Sequence, residues 1–553
     1  MRTFACAAMS LLLPALATAA PATTTPATAP GVMQDRFVWL FGIELSEPGG
    51  MAKVEGILDG AVKHEINGVV ASGGADELAG LQAVCDRLGL ELIPAQFSFG
   101  YGGPFLKHNR NLAEGLQVVD APFVAGTDGK ATLVPDPDLA IVNGDFETHN
   151  GDRFKGFGFH DAPGVISFAD AAVTHGGTTA MRLTNFASDR WGHGRVSEKV
   201  KVLPRRCYRV SIWAKSQDLK AEDFKIMTLV PGKDERTLSH RSFKLGATAD
   251  WTKVEYVFNS GKYTDVLLYA GVWGGQSGTL WLDDWSITEI GPMNPLRRPG
   301  TPVSVKGADG KRYEEGKDFA RIEDPELHPW SLRPDLPITL LPGSRIKPGT
   351  KLKVSWYHPM IVHDSQVTVC MAEPEIYRIV DEEAKALIEK LHPKRIMLNQ
   401  DEIRMGGTCK ACAGRNMGEL LGQSITKIMK IVRKHDPKVQ IYCWSDMFDP
   451  NHNAKPGAYY HVQGDYTGSW KHIPKDLVMA IWGDKAEEKS FKFFSDHGFK
   501  ILGSCYYDTD TLDLVPGWVA MARKYRAVRG LMYTTWVPKY ELLPAFGDLL
   551  ATQ

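Results

Sequence analysis

Three apolar, β-rich runs decide the fold: Arg36–Ile43 (RFVWLFGI), Ile66–Ala71 (INGVVA) and Leu90–Phe99 (LELIPAQFSF). Helix-like stretches around Met51–His64 and Asp76–Leu88 separate them. Strand, helix, strand, helix, strand is the signature of a parallel sheet. The same alternation resumes much later. Helical Glu375–Leu391 leads to Arg395–Asn399, and helical Asn416–Lys434 leads to Val439–Trp444. Leu477–Trp482, Lys500–Tyr507 and Gly530–Trp536 complete the series, with helical stretches before the last two. Three strands before the gap and five after it make eight. The expectation is an α/β fold, a TIM (β/α)8 barrel interrupted after its third strand. A doubly wound sheet would need a glycine-rich phosphate loop after the first strand, and none is present.

The gap has another texture. Residues 140–291 lack helical periodicity and carry short alternating strands at regular spacing, among them Ala180–Leu183, Tyr208–Ala214 and Trp251–Phe258. That pattern predicts a β-sandwich of the jelly-roll kind. Residues 292–360 are rich in proline and strand formers and predict a small β-rich accessory module. The barrel halves are then 35–134 and 361–553. At the N-terminus, Arg2, an apolar run through Leu16 and Ala17-Thr18-Ala19 read as a signal peptide over 1–19. A Pro/Ala/Thr-rich leader follows over 20–34. The expected location is secreted or periplasmic.

The 553 residues are 43% hydrophobic and 23% charged, with a formal net charge of −1. That balance gives no electrostatic footprint for nucleic acid. No segment after the leader reads as a membrane span. The 14 tryptophans suit a partner with apolar ring faces, such as an oligo- or polysaccharide or a glycoconjugate. Seven cysteines remain after the leader, an odd number at scattered spacing, which argues against a disulfide framework. Cys409 and Cys412 form a lone C-x-x-C. Without a second pair, a local disulfide or two free thiols fits that spacing better than zinc.

In a barrel of this kind the chemistry sits where strands end. The fourth strand ends in Asn399-Gln400-Asp401-Glu402, the fifth in Trp444-Ser445-Asp446, and the sixth in Trp482-Gly483-Asp484. The seventh ends in Tyr506-Tyr507-Asp508 and the eighth in Thr534-Thr535-Trp536. Buried-strand packing predicts valine and isoleucine there. The adjacent Asp401 and Glu402 are the sharpest feature, because two close carboxylates keep one of them a proton donor near neutral pH. Glycosidic cleavage needs such an acid and a group that stabilises the oxocarbenium-like transition state. Trp444, Asp446, Trp482, Tyr506, Tyr507, Asp508 and Trp536 are the candidate substrate-binding residues.

The order Asp401-Glu402, Gly406-Gly407, Cys409-x-x-Cys412 and Trp444-Ser445-Asp446-Met447 resembles family-20 glycoside hydrolases, the β-N-acetylhexosaminidases, and within them the hexosaminidase D-like branch. The first strand, the segment 93–106 and Tyr506-Tyr507-Asp508 are similar to that branch as well. The resemblance implies an exo-acting, retaining, substrate-assisted glycosidase without a catalytic cofactor. Glu402 would be the general acid/base, and Asp401 would orient the substrate's acetamido group. Trp444, Trp482 and Trp536 would enclose the acetamido methyl, and Tyr506 or Tyr507 would bind its oxygen. The chain departs from the family at Leu398-Asn399-Gln400, where His-x-Gly is usual, and in Phe41–Ser46, which lacks the usual arginine. The alternatives are a catalytically weakened glycan-binding protein and a barrel glycosidase acting on non-acetamido sugars. The inserted sandwich resembles jelly-roll carbohydrate-binding modules through Val142–Glu147, Tyr208–Ala214 and Trp281–Trp285. That resemblance implies a structural Ca2+ held by Glu147 with Asp283 or Asp284.

Overall fold

The computed structural model describes residues 33–221, 223–232, 236–457, 463–506 and 508–551. The signal peptide, the leader up to residue 32 and Tyr507 lie outside the described residues. Eight strands form a closed parallel barrel: β1 (Asp35–Leu40), β2 (Gly68–Ser72), β3 (Glu91–Gln96), β4 (Arg395–Leu398), β5 (Gln440–Trp444), β6 (Val478–Trp482), β7 (Lys500–Tyr506) and β8 (Val528–Thr534). The ring closes with β1 parallel to β8, Phe37 opposite Met532. Helices α1 (Gly50–Val62) and α2 (Ala75–Leu88) follow β1 and β2, and α3 (Pro374–Leu391) precedes β4. Helices α4 (Met417–His435), α5 (Glu488–Asp496), α6 (Val515–Lys524) and α7 (Leu543–Ala551) follow β4, β6, β7 and β8. Between β5 and β6, only 3-10 turns occur among the described residues.

Local chemistry explains the helix ends. The Asn416 side chain accepts a hydrogen bond from the Glu419 N–H at 2.9 Å and starts α4, which ends in Arg433, Lys434 and His435. Glu77 reaches back to the Gly74 N–H at 2.9 Å to start α2, and Gly89 ends it at φ 70°. Strand alternation then sorts the barrel into two cores. Phe37, Trp39, Met397, Tyr442, Trp444 and Met532 pack inside the ring. Val38, Leu398, Cys443 and Tyr533 pack outward, in the layer of the helices.

The insertion is nested, and one expected boundary moves. Leu116–Ala125 and Lys130–Leu133 do not belong to the first barrel segment. They pair with Lys351–His358 and Ile338–Thr339 in a six-stranded sheet that also holds Ser304–Gly307 and Arg312–Tyr313. Non-local antiparallel pairing, with Leu352 opposite Phe123, makes residues from both sides of the sandwich into one accessory module. The sandwich sits within it as two five-stranded sheets. Every sandwich strand named from the sequence is present. Asp223–Leu229 and Thr237–Phe243 add an edge that the sequence pattern did not show.

Candidate active site

A cavity of about 630 Å³ opens at the ends of the barrel strands. Asp401, Glu402, Trp444, Trp482 and Trp536 line it, together with Trp39, Phe41, Glu77, Ser98, Tyr101 and Asn399. Neighbours along a strand point to opposite faces, so adjacent carboxylates should not both enter one cavity. They do because β4 ends at Leu398 and Glu402 takes a left-handed backbone, φ 47°. For a residue other than glycine that conformation costs about 1–2 kcal/mol, so the surroundings must hold it. The Glu402 N–H donates to Asp446 Oδ2 at 2.9 Å, and the Glu402 carbonyl accepts from Gln366 Nε2 at 3.3 Å. Gly100 passes so close that a Cβ there would lie 2.7 Å from the Asp401 carbonyl oxygen.

The two carboxylates have different surroundings. Burial pushes Asp401 well above the ordinary aspartate range, and the charges of Asp446 and Glu402 add to the shift. Glu402 accepts a hydrogen bond from the Tyr101 hydroxyl at 2.7 Å and pairs with the Arg404 guanidinium at 2.7 Å. Both contacts engage Oε2. Burial and the neighbouring carboxylates raise the Tyr101 phenol far above its usual range, so it stays a donor. Arg404 is itself buried and also donates to Gln366 Oε1.

Asp446 is fully buried and lies behind the pair rather than in the cavity wall. It accepts from Asn453 Nδ2 at 2.8 Å and Trp482 Nε1 at 3.3 Å as well as from Glu402. Among the described residues these three donors favour its carboxylate form, while burial raises its pKa. The indoles pack edge to face or tilted. Ring centroids are 5.4 Å apart for Trp39 and Trp444, 5.7 Å for Trp444 and Trp536, and 5.9 Å for Trp482 and Trp536. Trp39, Tyr101 and Arg404 were missed as site residues. Trp39 shares the inward parity of Phe37 on β1, which is a readable signal. Tyr101 and Arg404 lie on loops without periodicity.

Tyr506 and Asp508 do not reach the cavity. Parity with Leu502 and Ser504 would aim Tyr506 inward, but its φ of 84° breaks the alternation. Its ring stacks on Tyr533 at 4.3 Å in the outer layer, and its hydroxyl donates to the Thr509 carbonyl at 2.8 Å. Asp508 is a brace: both its oxygens accept from the Trp536 N–H at 3.0 Å, and Thr535 Oγ1 donates to it at 2.6 Å. It thereby fixes the backbone that presents Trp536. His108 pairs with Glu383 at 2.8 Å and does not line the cavity.

In the sandwich, Glu147, Asp283 and Asp284 all hold the turn at residues 175–179. Glu147 accepts from the N–H groups of Thr178 at 2.7 Å and Thr179 at 3.0 Å, Asp283 from that of His175 at 2.8 Å, and Asp284 contacts His175 Nδ1 at 2.6 Å. Among the described residues their oxygens do not converge into one ligand set. Trp191, by contrast, is 60% exposed, beneath the Arg190 guanidinium at 4.3 Å.

Residues 139–277 match a family profile described as a carbohydrate binding domain. They are a carbohydrate-binding module. Solved structures similar to part of the chain include a family 16 carbohydrate binding module-2, at 19% identity and TM-score 0.21 over 27% of this chain and 97% of that one. A CBM4 module matches at 18% identity and TM-score 0.21, over 27% and 99%. The CBM22-1 xylan-binding domain of Paenibacillus barcinonensis Xyn10C matches at 17% identity and TM-score 0.20, over 28% and 96%. No curated protein matches the chain. Among the described residues no helix is long and apolar enough to cross a membrane.

Proposed function

We propose that the chain is an exported glycoside hydrolase of the TIM (β/α)8 class, acting on 2-acetamido sugars and carrying its own glycan-binding module. One observation carries the reading: two adjacent carboxylates, turned into one cavity by a left-handed residue, face a wall of four tryptophans. The indole faces suit the apolar side of a sugar ring and its acetamido methyl. Trp39 and Asn399 line the cavity, and the buried Nε1 of the one and Oδ1 of the other have no hydrogen-bond partner among the described residues. A donor and an acceptor so placed suit sugar hydroxyls.

The proposed mechanism uses the substrate's acetamido oxygen as the nucleophile at the anomeric carbon. Asp401 accepts the acetamido N–H and turns the oxygen toward that carbon. Accepting that bond favours the Asp401 carboxylate, so substrate binding releases its proton into the cavity, and Glu402 takes it. Glu402 then protonates the leaving oxygen, while Arg404 and Tyr101 hold its Oε2. The acetamido group closes on the anomeric carbon, the leaving alcohol departs with the proton, and water activated by Glu402 reopens the ring with retention. The tryptophan wall keeps bulk water from the internal nucleophile.

The deciding assay offers aryl β-N-acetylglucosaminide and β-N-acetylgalactosaminide beside plain β-glucoside and β-galactoside. Release is expected from the acetamido sugars alone and is lost in Glu402→Gln. Cleavage of the plain glycosides would overturn the acetamido mechanism. Glycan binding without any cleavage would make the barrel a catalytically weakened scaffold for the module.

A further inference from the structure

The lone C-x-x-C gains two partners in the fold. Cys409 Sγ lies 3.4 Å from Cys412 Sγ and 3.4 Å from Cys370 Sγ, and Cys412 Sγ lies 2.9 Å from Glu114 Oε1. All four residues are buried, and their ligating atoms lie within 4.8 Å of one another. Tetrahedral zinc with Zn–S bonds of about 2.3 Å has S···S edges of about 3.8 Å and S···O edges of about 3.5 Å. These three separations are a few tenths of an ångström shorter and the others stay within 4.8 Å, so small side-chain rotations bring all four atoms to one centre. We propose that Cys370, Cys409, Cys412 and Glu114 form a closed, structural zinc site that staples the catalytic loop to both ends of the insertion.

Three observations favour a metal over the alternatives. Cys409 is equally near two thiols, so a disulfide to either would strand the third beside a buried carboxylate. The Arg298 guanidinium, itself 6% exposed on its side chain, lies against Cys409 and offsets part of the negative charge left by three thiolates and a carboxylate around a dication. Third, the ligands come from three segments that only the tertiary fold joins. Glu114 precedes the accessory sheet, Cys370 follows it, and Cys409 and Cys412 lie on the loop that carries Glu402, Arg404 and Met405. Met405 packs into the hydrophobic cluster of the sandwich, so this loop is held from both sides. Four protein ligands and burial leave no open coordination position, which assigns the ion to structure rather than catalysis.

The test does not depend on the glycosidase reading. The full chain is purified without chelator, and its metal content is measured together with the accessible thiols. One zinc per chain is expected, released stoichiometrically when the thiols are modified, and Cys412→Ser and Glu114→Gln should lose it. His363→Ala is the control, because His240, His363 and Asp364 form a second cluster of possible ligands; it should keep the zinc. Cobalt(II) substitution of the unmutated protein gives a readout that needs no variant to fold. Tetrahedral bands with sulfur-to-cobalt charge transfer are expected. The proposal is overturned by cobalt bands without that charge transfer, or by a Cys409–Cys412 or Cys370–Cys409 disulfide in the mass map. Zinc kept in Cys412→Ser but lost in His363→Ala would overturn it as well.

Discussion

Asp446→Asn tests how the carboxylate pair is supported. Asp446 receives three donors: the Glu402 N–H at 2.9 Å and Asn453 Nδ2 at 2.8 Å on one oxygen, and Trp482 Nε1 at 3.3 Å on the other. An asparagine offers one acceptor oxygen and one NH2. Whichever way it turns, the NH2 faces a donor, so at least one buried N–H loses its acceptor. Such a loss costs about 1–3 kcal/mol, or roughly a 5- to 150-fold shift in the unfolding equilibrium. The substitution also removes a negative charge that raises Asp401. With that charge gone the Asp401 pKa falls, and the pair sheds its proton at a lower pH. The alkaline limb of kcat/KM on an aryl acetamido sugar should therefore move to lower pH. Denaturant unfolding and the pH–rate profile read the two effects separately. A variant of unchanged stability whose alkaline limb stays in place, or moves up, would refute both the donor count and the electrostatic coupling.

Further outcomes follow from single contacts. Tyr101→Phe removes a charge-assisted hydrogen bond to Glu402 and should lower kcat/KM by about 10- to 100-fold with unchanged circular dichroism; full activity would show that the phenol is idle. Trp191→Ala should weaken glycan binding by the module in affinity electrophoresis while leaving hydrolysis of small aryl glycosides intact; unchanged retention would move the platform elsewhere. Glu198 is buried in the sandwich, accepts one bond from the Val142 N–H at 2.7 Å, and is pushed up to about 7 by burial. Its folded pKa lies above the unfolded value, so its neutral form favours folding at low pH, and that stability is lost as pH rises from about 4 through about 7. Glu198→Gln keeps the acceptor and should stabilise the sandwich by roughly 1–3 kcal/mol at pH 8, with no gain at pH 4; an equal gain at both pH values would refute the burial argument.

The legible and illegible parts of the site differ in how far their cause extends along the chain. Trp444 and Trp536 were readable because strand alternation is local: the parity that places Phe37 and Met532 inside the ring places them too. The same rule misled at Tyr506, where one positive φ reverses the face. It also gave no reason for Asp401 and Glu402 to share a cavity, which depends on the left-handed turn at Glu402. That turn is held in part by a carboxylate 44 residues away, Asp446.

The amino-acid pattern alone determined the alternation that builds the barrel, the β texture of the insertion and the strand ends that carry acid and aromatic side chains. Each follows from periodicity within about ten residues, where backbone geometry dictates which side chains share a face. Only the tertiary structure decided the rest. Leu116–Leu133 leave the barrel because they find their partners more than 200 residues later, near Lys351–His358. The C-x-x-C meets Glu114 and Cys370 because closing the ring between β3 and β4 brings the two ends of the insertion together beside the loop after β4. Contacts between residues so far apart in sequence leave no local period, and they exist only once the chain has closed on itself.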